Sequence, residues 1–116
     1  MVVKSEKIKQ YKENGAIRGD SSGKGRYDLI PPRSLRRVAK HFEDGGKIYG
    51  DNNWIKGIPL HRIVDSMIRH SFQLLEENTD EDHASAIAWN ALIFMETKTL
   101  IEEGKLTKDL DDLRKT

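Results

Sequence analysis

Two long segments of the chain carry apolar residues at the three-to-four spacing that gathers them on one face of an α-helix. In residues 58–77 these positions form one wide apolar stripe, with Pro59 in the first turn. In residues 81–103 alanines and larger apolar residues recur at the same spacing, and Gly104 supplies a natural end. The pattern predicts two long helices, and the small alanines of the second would let it pack closely against the first.

A shorter amphipathic segment precedes these helices. Pro32 suits the first turn of a helix, and apolar residues follow at helical spacing as far as Gly45-Gly46, which predicts a helix over about residues 31–46. Residues 47–57 are rich in turn formers and are predicted to form a loop. A short amphipathic helix is predicted for Leu106–Leu113. The predicted fold class is all-α, a small helical bundle of about three main helices.

The N-terminal part of the chain lacks such a pattern. It is polar, and four glycines fall within eleven residues of it, which is typical of flexible segments. We predict a flexible basic arm over residues 1–24, with a short helix near Ser5–Glu13, and a single helical domain over residues 25–116. Residues 27–32 are predicted to be extended, because a residue before proline avoids the helical conformation.

Composition narrows the class of protein. Apolar residues make up 36% of the 116 residues and charged residues 34%, which fits one globular domain with a modest core. Since cysteine is absent, disulfides, thiolate metal sites and thiol nucleophiles are excluded. No segment has the apolar length of a signal peptide or a membrane span, so we expect a cytoplasmic protein without membrane contact.

The net charge of +1 conceals a gradient along the chain. Residues 1–40 hold 11 Lys/Arg against 4 Asp/Glu, residues 41–75 hold 4 against 4, and residues 76–116 hold 5 against 11. A basic front and an acidic back suit an anionic ligand that reaches the protein through cations. Charged blocks are also common on solvated helix faces, so the gradient leaves both interpretations open.

Polar residues on the flanks of the two long helices predict a metal site. His70 and Glu77 lie seven residues apart on one flank, and His83 and Asn90 repeat that spacing on the next helix. If the helices pack antiparallel through the short connection at residues 78–81, these flanks face each other beside the acidic residues of the turn. Carboxylate-rich sites suit Mg²⁺ or Mn²⁺, which bind phosphates and activate water.

Each of these residues also has an ordinary structural interpretation. Acidic residues at a helix start are favoured by the helix dipole, and Asp80 or Thr79 is placed to cap the second long helix. A histidine on a helix flank is more often structural than a ligand. Trp89 would suit a core or a dimer interface, and Asn90 could bond a loop carbonyl. The coincidence of polar residues on two facing flanks favours the site.

Five motifs then follow one another in a recognisable order: Gly25–Pro32, Lys47–Trp54, Arg69-His70, Asp80–His83 and Trp89–Ala91. This succession covers about residues 23–104 and resembles the phage-type dATP/dGTP diphosphohydrolase N-terminal family of tailed phages and bacterial prophage regions. The resemblance implies hydrolysis of dATP or dGTP to the monophosphate and pyrophosphate, in the host cytoplasm if the protein is phage-encoded. It also implies a link to the helical MazG-like pyrophosphohydrolases, although their Glu-x-x-Glu followed by Glu-x-x-Asp is absent here.

The resemblance implies roles for the metal and catalytic residues. As ligands of Mg²⁺ or Mn²⁺ we expect Asp80, Asp82 and His83, with Glu77 as an outside member. His70 and Asn90 are expected to orient water or a phosphate oxygen, so the catalytic set is His70, His83 and Asn90.

It implies roles for the substrate-binding residues as well. Positive charge stabilises a transferring phosphoryl group, and the candidates for the triphosphate are Arg26, Lys47 and Arg69. Stacking and hydrogen bonding to the base and sugar are expected from Tyr49, Asn53 and Trp54. Tyr49 and Trp54 could instead anchor the loop that carries them.

Two further functions and an assembly are also predicted. The chain could be a non-enzymatic phage module that binds nucleic acid or a protein through the arm and helix one, whose basic residues are Arg33, Arg36, Arg37 and Lys40. It could also hydrolyse another phosphorylated metabolite in the same cleft. Two long helices and a short one make a thin core, which predicts a homodimer or a higher homo-oligomer.

Overall fold

The computed structural model describes residues 8–11 and 14–114. These residues belong to two compact units that divide after Pro31. Three helices form most of the second unit, as the predicted all-α bundle requires. None of the helices in the described ranges has the length and apolar character that a membrane span needs.

The first unit contains a short antiparallel hairpin. Strand β1 (Ile8–Gln10) pairs with strand β2 (Ile17–Gly19), with Lys9 opposite Arg18. The predicted helix near Ser5–Glu13 is therefore wrong over β1, and the rest of it lies partly outside the described residues. The missed signal is Asn14-Gly15, a dipeptide typical of hairpin turns; Gly15 has φ +76° and the Asn14 side chain accepts a hydrogen bond from the Ala16 N–H.

The segment before the first helix is only partly extended. Tyr27–Leu29 form a 3-10 turn, so the prediction of an extended segment is wrong there. Ile30 is extended, as expected for a residue before proline.

Helix α1 (Pro32–Tyr49) begins at the predicted proline but does not end at Gly45-Gly46. It continues to Tyr49 and stops at Gly50, which has φ +94° and donates its N–H to the carbonyl of Gly46. A glycine inside a helix costs only about 1 kcal/mol. At Gly46 it also makes room, since a Cβ there would lie 2.5 Å from Asp51 Oδ1. The predicted loop at 47–57 is therefore shorter, and Lys47 and Tyr49 lie on the helix.

Helices α2 (Leu60–Leu75) and α3 (His83–Glu102) lie close to their predicted positions. Neither Asp80 nor Thr79 caps α3: the cap is Asp82, whose carboxylate accepts a hydrogen bond from the Ser85 N–H at 3.3 Å. At the other end of α3, Gly104 has the left-handed φ of +75° expected of a helix stop.

The two long helices pack antiparallel around the core. His70 contacts His83 near the start of α3, and Ser66, one turn earlier on α2, contacts Asn90, two turns later on α3. The two helices therefore run in opposite directions. A cluster of buried apolar residues joins the two helices, namely Leu60, Ile63, Ile93 and Ile101. The predicted short C-terminal helix is a single 3-10 turn, Lys108–Leu110. Just after it, Asp112 accepts a hydrogen bond from the His61 N–H in the first turn of α2.

Candidate functional site

Two histidines face each other where the end of α2 meets the beginning of α3. The Nδ1 atoms of His70 and His83 are 2.8 Å apart, and Glu81 Oε1 lies 3.9 Å from His70 Nδ1. One ligand atom from each of these three residues lies within 4.8 Å of the other two, which makes them a group able to hold a metal ion. The antiparallel packing predicted from the short connection thus brings His70 and His83 together.

Asp80 fixes the protonation of the buried imidazole. Its Oδ1 is 2.7 Å from His83 Nε2, and the His83 side chain is fully buried. A carboxylate only accepts hydrogen bonds, so His83 carries its proton on Nε2, and in the neutral ring Nδ1 presents a lone pair. That lone pair is directed at His70.

The pKa of His70 is lowered from its ordinary value, first by burial and further by the nearby positive charge of Arg69, while Glu81 opposes the shift. The His70 side chain is only 13% exposed. At neutral pH the ring is therefore uncharged, which is the form that binds a metal ion or accepts a proton.

Asp82 is placed differently from Asp80. Its two carboxylate oxygens receive a bidentate pair from Arg37 at 2.6 and 2.9 Å, and the hydroxyl and N–H of Ser85 donate to the same group. These hydrogen bonds, from Arg37 first, hold the pKa of Asp82 well below its usual range. Asp82 thus joins α1 to the start of α3 and lies outside the group formed by His70, Glu81 and His83.

Asn90 lies two turns further along α3. Its side-chain amide donates to the Ala86 carbonyl at 2.8 Å and to Ser66 Oγ at 3.4 Å, and the residue is buried. Asn90 is therefore directed into the seam between α2 and α3. In that position it holds the seam on which the histidine pair depends.

A cavity of about 510 Å³ opens between the end of α1, the following loop and α3. Four aromatic residues line it, namely Phe42, Tyr49, Trp54 and Trp89, and its polar lining residues include Asp51, Asn52 and Asn53. The predicted base-binding residues Tyr49, Asn53 and Trp54 thus lie together in one cavity.

His41 packs against one of the aromatic residues of this cavity. Its ring lies against Trp89 with centroids 5.5 Å apart. Trp89 also packs against Phe42 on the cavity side, with centroids 5.9 Å apart. His41 and Glu81 were not among the predicted site residues. The signal for His41 is its position one residue before the partly buried Phe42, because both side chains then contact Trp89 of α3.

The remaining four predicted residues are described by their own contacts and positions. Lys47 is exposed and pairs with Glu43 on its own helix, at 3.3 Å. Arg26 belongs to the first unit, where it forms a bidentate pair with Asp28. Arg69 is exposed but lies close enough for its charge to act on His70. Glu77 follows the end of α2 with φ +57° and is outside the group of three.

Known proteins similar to this chain share one description. A family model described as dATP/dGTP diphosphohydrolase, N-terminal, matches residues 14–109. A dATP/dGTP diphosphohydrolase of Salmonella phage PMBT28 is 34% identical over 77 residues, covering 63% of this chain and 26% of that protein. The chain thus spans about a quarter of the relative that it matches. No solved structure matches it. With most of its length matched by the family model, the chain belongs to the dATP/dGTP diphosphohydrolase N-terminal family.

Proposed function

We propose that this chain hydrolyses a purine deoxynucleoside triphosphate, dATP or dGTP, to the monophosphate and pyrophosphate. The name of the phage relative supports this reaction. The single structural observation that carries the proposal is the aromatic cavity against α3, the helix that begins at His83 of the histidine pair. A base would be held at one end of this arrangement and phosphates at the other.

The cavity has the properties that a purine requires. Its volume of about 510 Å³ is that of a small-molecule site. Trp54 and Tyr49 offer ring faces for stacking, and the Asp51 carboxylate and the Asn53 amide offer an acceptor and an amide group for the base edge or the sugar. Stacking on an aromatic side chain contributes about 1–3 kcal/mol per base.

The group of His70, Glu81 and His83 would hold a divalent cation, for which Mg²⁺ or Mn²⁺ was expected. When bound, such an ion polarises phosphoryl oxygens and lowers the pKa of a bound water. In the proposed reaction, water forms a bond to the α-phosphorus and the bond to the α–β bridging oxygen breaks. Pyrophosphate leaves, and the proton of the water passes to a carboxylate oxygen of Glu81, which is half-exposed and returns it to solvent.

Three predicted roles need rearrangement to operate in this scheme. Asp82 would bind a cation only after leaving Arg37, and Asn90 would reach a phosphate oxygen only after leaving the Ala86 carbonyl. Lys47 would bind the triphosphate only after leaving Glu43. Of the predicted cations, Arg69 is the one whose charge already acts on the histidine pair.

The test is pyrophosphate release by the purified chain from a panel of nucleoside triphosphates, with Mg²⁺ or Mn²⁺. We expect dATP or dGTP to be preferred and Trp54→Ala to raise KM at least tenfold, because it removes a stacking surface. Ile55→Ala is the matched control, since Ile55 is the exposed neighbour of Trp54 and does not line the cavity. Pyrophosphate release that is equal for all four bases would contradict the proposed cavity role.

The same assays would reveal either of two alternative functions. Turnover of a different phosphorylated compound by the same histidines would identify a hydrolase of another metabolite. The nucleic-acid module is favoured by the exposed basic residues of α1, but Arg37 is held by Asp82 and Lys40 by Asp44. A DNA affinity that falls steeply with salt and needs no metal, without any pyrophosphate release, would establish that module instead.

A homo-oligomer remains part of the proposal. The described second unit leaves apolar side chains of α2 exposed, Phe72 at 61% and Leu75 at 80%. A second copy of the chain would cover them. The proposed setting is the host cytoplasm, in keeping with a relative from a phage.

A further inference from the structure

We propose that His70, His83 and Glu81 form a binding site for a divalent transition metal ion of the Zn²⁺, Co²⁺ or Mn²⁺ type, and that Asp80 is its positioning residue. The role of this ion in hydrolysis rests on the proposed function. The existence of the site does not, because it follows from the geometry of three side chains and is tested without nucleotide.

The separation of the two imidazoles is close to what a shared metal ion needs. Two nitrogens at about 2.05 Å from a tetrahedral metal ion lie about 3.3 Å apart, and the two Nδ1 atoms are now 2.8 Å apart. A displacement of about half an ångström would admit the ion. Glu81 Oε1 lies at 3.9 Å from His70 Nδ1, and its side chain is 51% exposed, so rotation of the carboxylate can close that distance.

The hydrogen bonds around the pair already orient one ligand. His83 is fully buried and donates Nε2–H to Asp80, which leaves the Nδ1 lone pair directed toward the site. A carboxylate that orients the distal N–H of a histidine ligand is the usual partner arrangement in protein metal sites. His70 would move its proton from Nδ1 to Nε2, a change of tautomer that releases no proton.

The chemistry of the ligands decides between metal ions. Mg²⁺ prefers an octahedral set of oxygens and keeps several waters. Two imidazole nitrogens and one carboxylate suit a transition metal ion instead. With three protein ligands the ion keeps an open position, which is characteristic of a catalytic site and would receive water or a phosphate oxygen.

The site is tested by titrating the metal-free chain with Co²⁺ and following its visible absorption, and with Zn²⁺ and Mg²⁺ by calorimetry. We expect one Co²⁺ or Zn²⁺ per chain, bound at least 100-fold more tightly than Mg²⁺. Substitutions of the two histidines, His70→Ala and His83→Ala, should each weaken Zn²⁺ binding at least 100-fold. Glu81→Gln should weaken it by about tenfold, and Asp80→Asn by about 10–100-fold, as expected for a second-sphere partner.

Matched controls separate ligation from charge and folding. His61→Ala removes an exposed histidine of α2 that pairs with Asp112, and Glu76→Gln removes an exposed carboxylate outside the group of three. Neither should change Zn²⁺ affinity. Because His83 is buried, His83→Asn is a second variant that keeps a polar side chain in place, and circular dichroism reports whether each variant retains its helices.

Two results would overturn the site: Mg²⁺ binding as tight as Zn²⁺, or Zn²⁺ affinity unchanged in a folded His70→Ala variant. Asp80→Asn has a further readout that a purely structural role would not move. Its bound Co²⁺ should show a shifted absorption spectrum, because the electron donation of His83 changes. Zn²⁺ binding without pyrophosphate release would refute the proposed function and leave the metal site standing.

Discussion

The two long helices differ in which side chains they bury: α3 buries polar side chains, whereas the second half of α2 exposes apolar ones. On α3 the buried side chains include four polar ones, His83, Ser85, Asn90 and Thr97. On the second half of α2 the exposed side chains include Ile68, Phe72 and Leu75. The buried polar side chains include a member of the proposed metal site, and the exposed apolar side chains form the surface proposed to bind a second copy of the chain.

Nearly all of the buried polar side chains of α3 have hydrogen-bond partners. A buried polar atom without a partner costs about 1–3 kcal/mol. His83 is paired with Asp80 and His70, Ser85 with Asp82, and Asn90 with the Ala86 carbonyl. The helix therefore carries its polar residues at little cost, and the histidine at its beginning is fixed in one orientation.

The exposed apolar side chains of α2 are not covered by other residues in the described part of the chain. Five apolar residues and Ser71 line a groove of about 380 Å³, and the apolar members are Val64, Met67, Ile68, Phe72 and Leu75. Apolar patches of this kind are characteristic of surfaces that bind another protein. The comparison of the two helices is the basis for the proposals of a reactive site at the start of α3 and of self-association at the end of α2.

The largest expected effect is at the buried histidine. His83→Ala should lower metal-dependent pyrophosphate release by at least 100-fold, because it removes the proposed metal ligand that Asp80 hydrogen-bonds. The measurement is kcat/KM with dATP and dGTP at saturating metal. Ala84→Ser, at the exposed neighbouring position, is the control and should keep full activity. A His83→Ala variant with more than a tenth of the original rate would show that the histidine pair is structural.

The next effect concerns assembly. Phe72→Glu places a charge in the apolar groove of α2 and should weaken self-association at least tenfold, since a carboxylate resists burial in an apolar interface. Sedimentation velocity over a range of concentrations measures it. Gln73→Glu adds the same charge at the adjacent position of α2, outside the groove, and should leave association unchanged. If the original chain is monomeric at all concentrations, the homo-oligomer is refuted.

These two regions were not equally predictable from sequence. The apolar stripe of α2 and its spacing from α3 are local patterns, and they predicted both helices and the meeting of His70 with His83. The sequence could not show which acidic residue would face that pair. Asp80, Glu81 and Asp82 are consecutive and chemically alike, and only the position of Arg37 on another helix separates the cap Asp82 from the others.

The errors have the same physical origin. Gly45-Gly46 resembled a helix end because glycine is a poor helix former, yet α1 continues through both glycines to Tyr49. At Gly46 a side chain would collide with Asp51, which explains glycine at that position. That shift of the helix end moved Tyr49 from a loop to the last turn of α1, where it lines the cavity. Likewise, the contact of His41 with Trp89 joins residues 48 positions apart, a distance over which periodicity carries no information.

A smaller effect is expected at Asp82, the N-cap of α3, where substitution should change stability but not metal binding. Asp82→Ala should lower the free energy of unfolding by about 1 kcal/mol, the usual cost of losing a helix cap. Asp82→Asn keeps a side-chain oxygen that can cap the helix, so its free energy of unfolding should fall by less. Chemical denaturation of the variants measures both. Zn²⁺ affinity should be unchanged in Asp82→Asn, and a 100-fold loss there would return Asp82 to the predicted ligand set.

The smallest effect is a gain, at the one polar group of α3 that lacks compensation. Thr97 is fully buried, and its hydroxyl has no hydrogen-bond partner in the described part of the chain. Thr97→Val replaces the hydroxyl with a methyl of similar size, so we expect stabilisation by about 1 kcal/mol and a rise in Tm of about 4 °C.

Ile93→Val supplies the matched control one turn earlier on α3, within the apolar core. It removes a methylene without relieving a polar group, and should cost about 0.5–1.5 kcal/mol. Both variants place valine on the same face of one helix, so differences in helix propensity are small between them. Opposite signs of the two changes in thermal unfolding would establish that polar burial on α3 is costly wherever a partner is missing. Destabilisation by Thr97→Val would instead show that the Thr97 hydroxyl forms a hydrogen bond in solution. Every buried polar side chain of α3 would then have a partner.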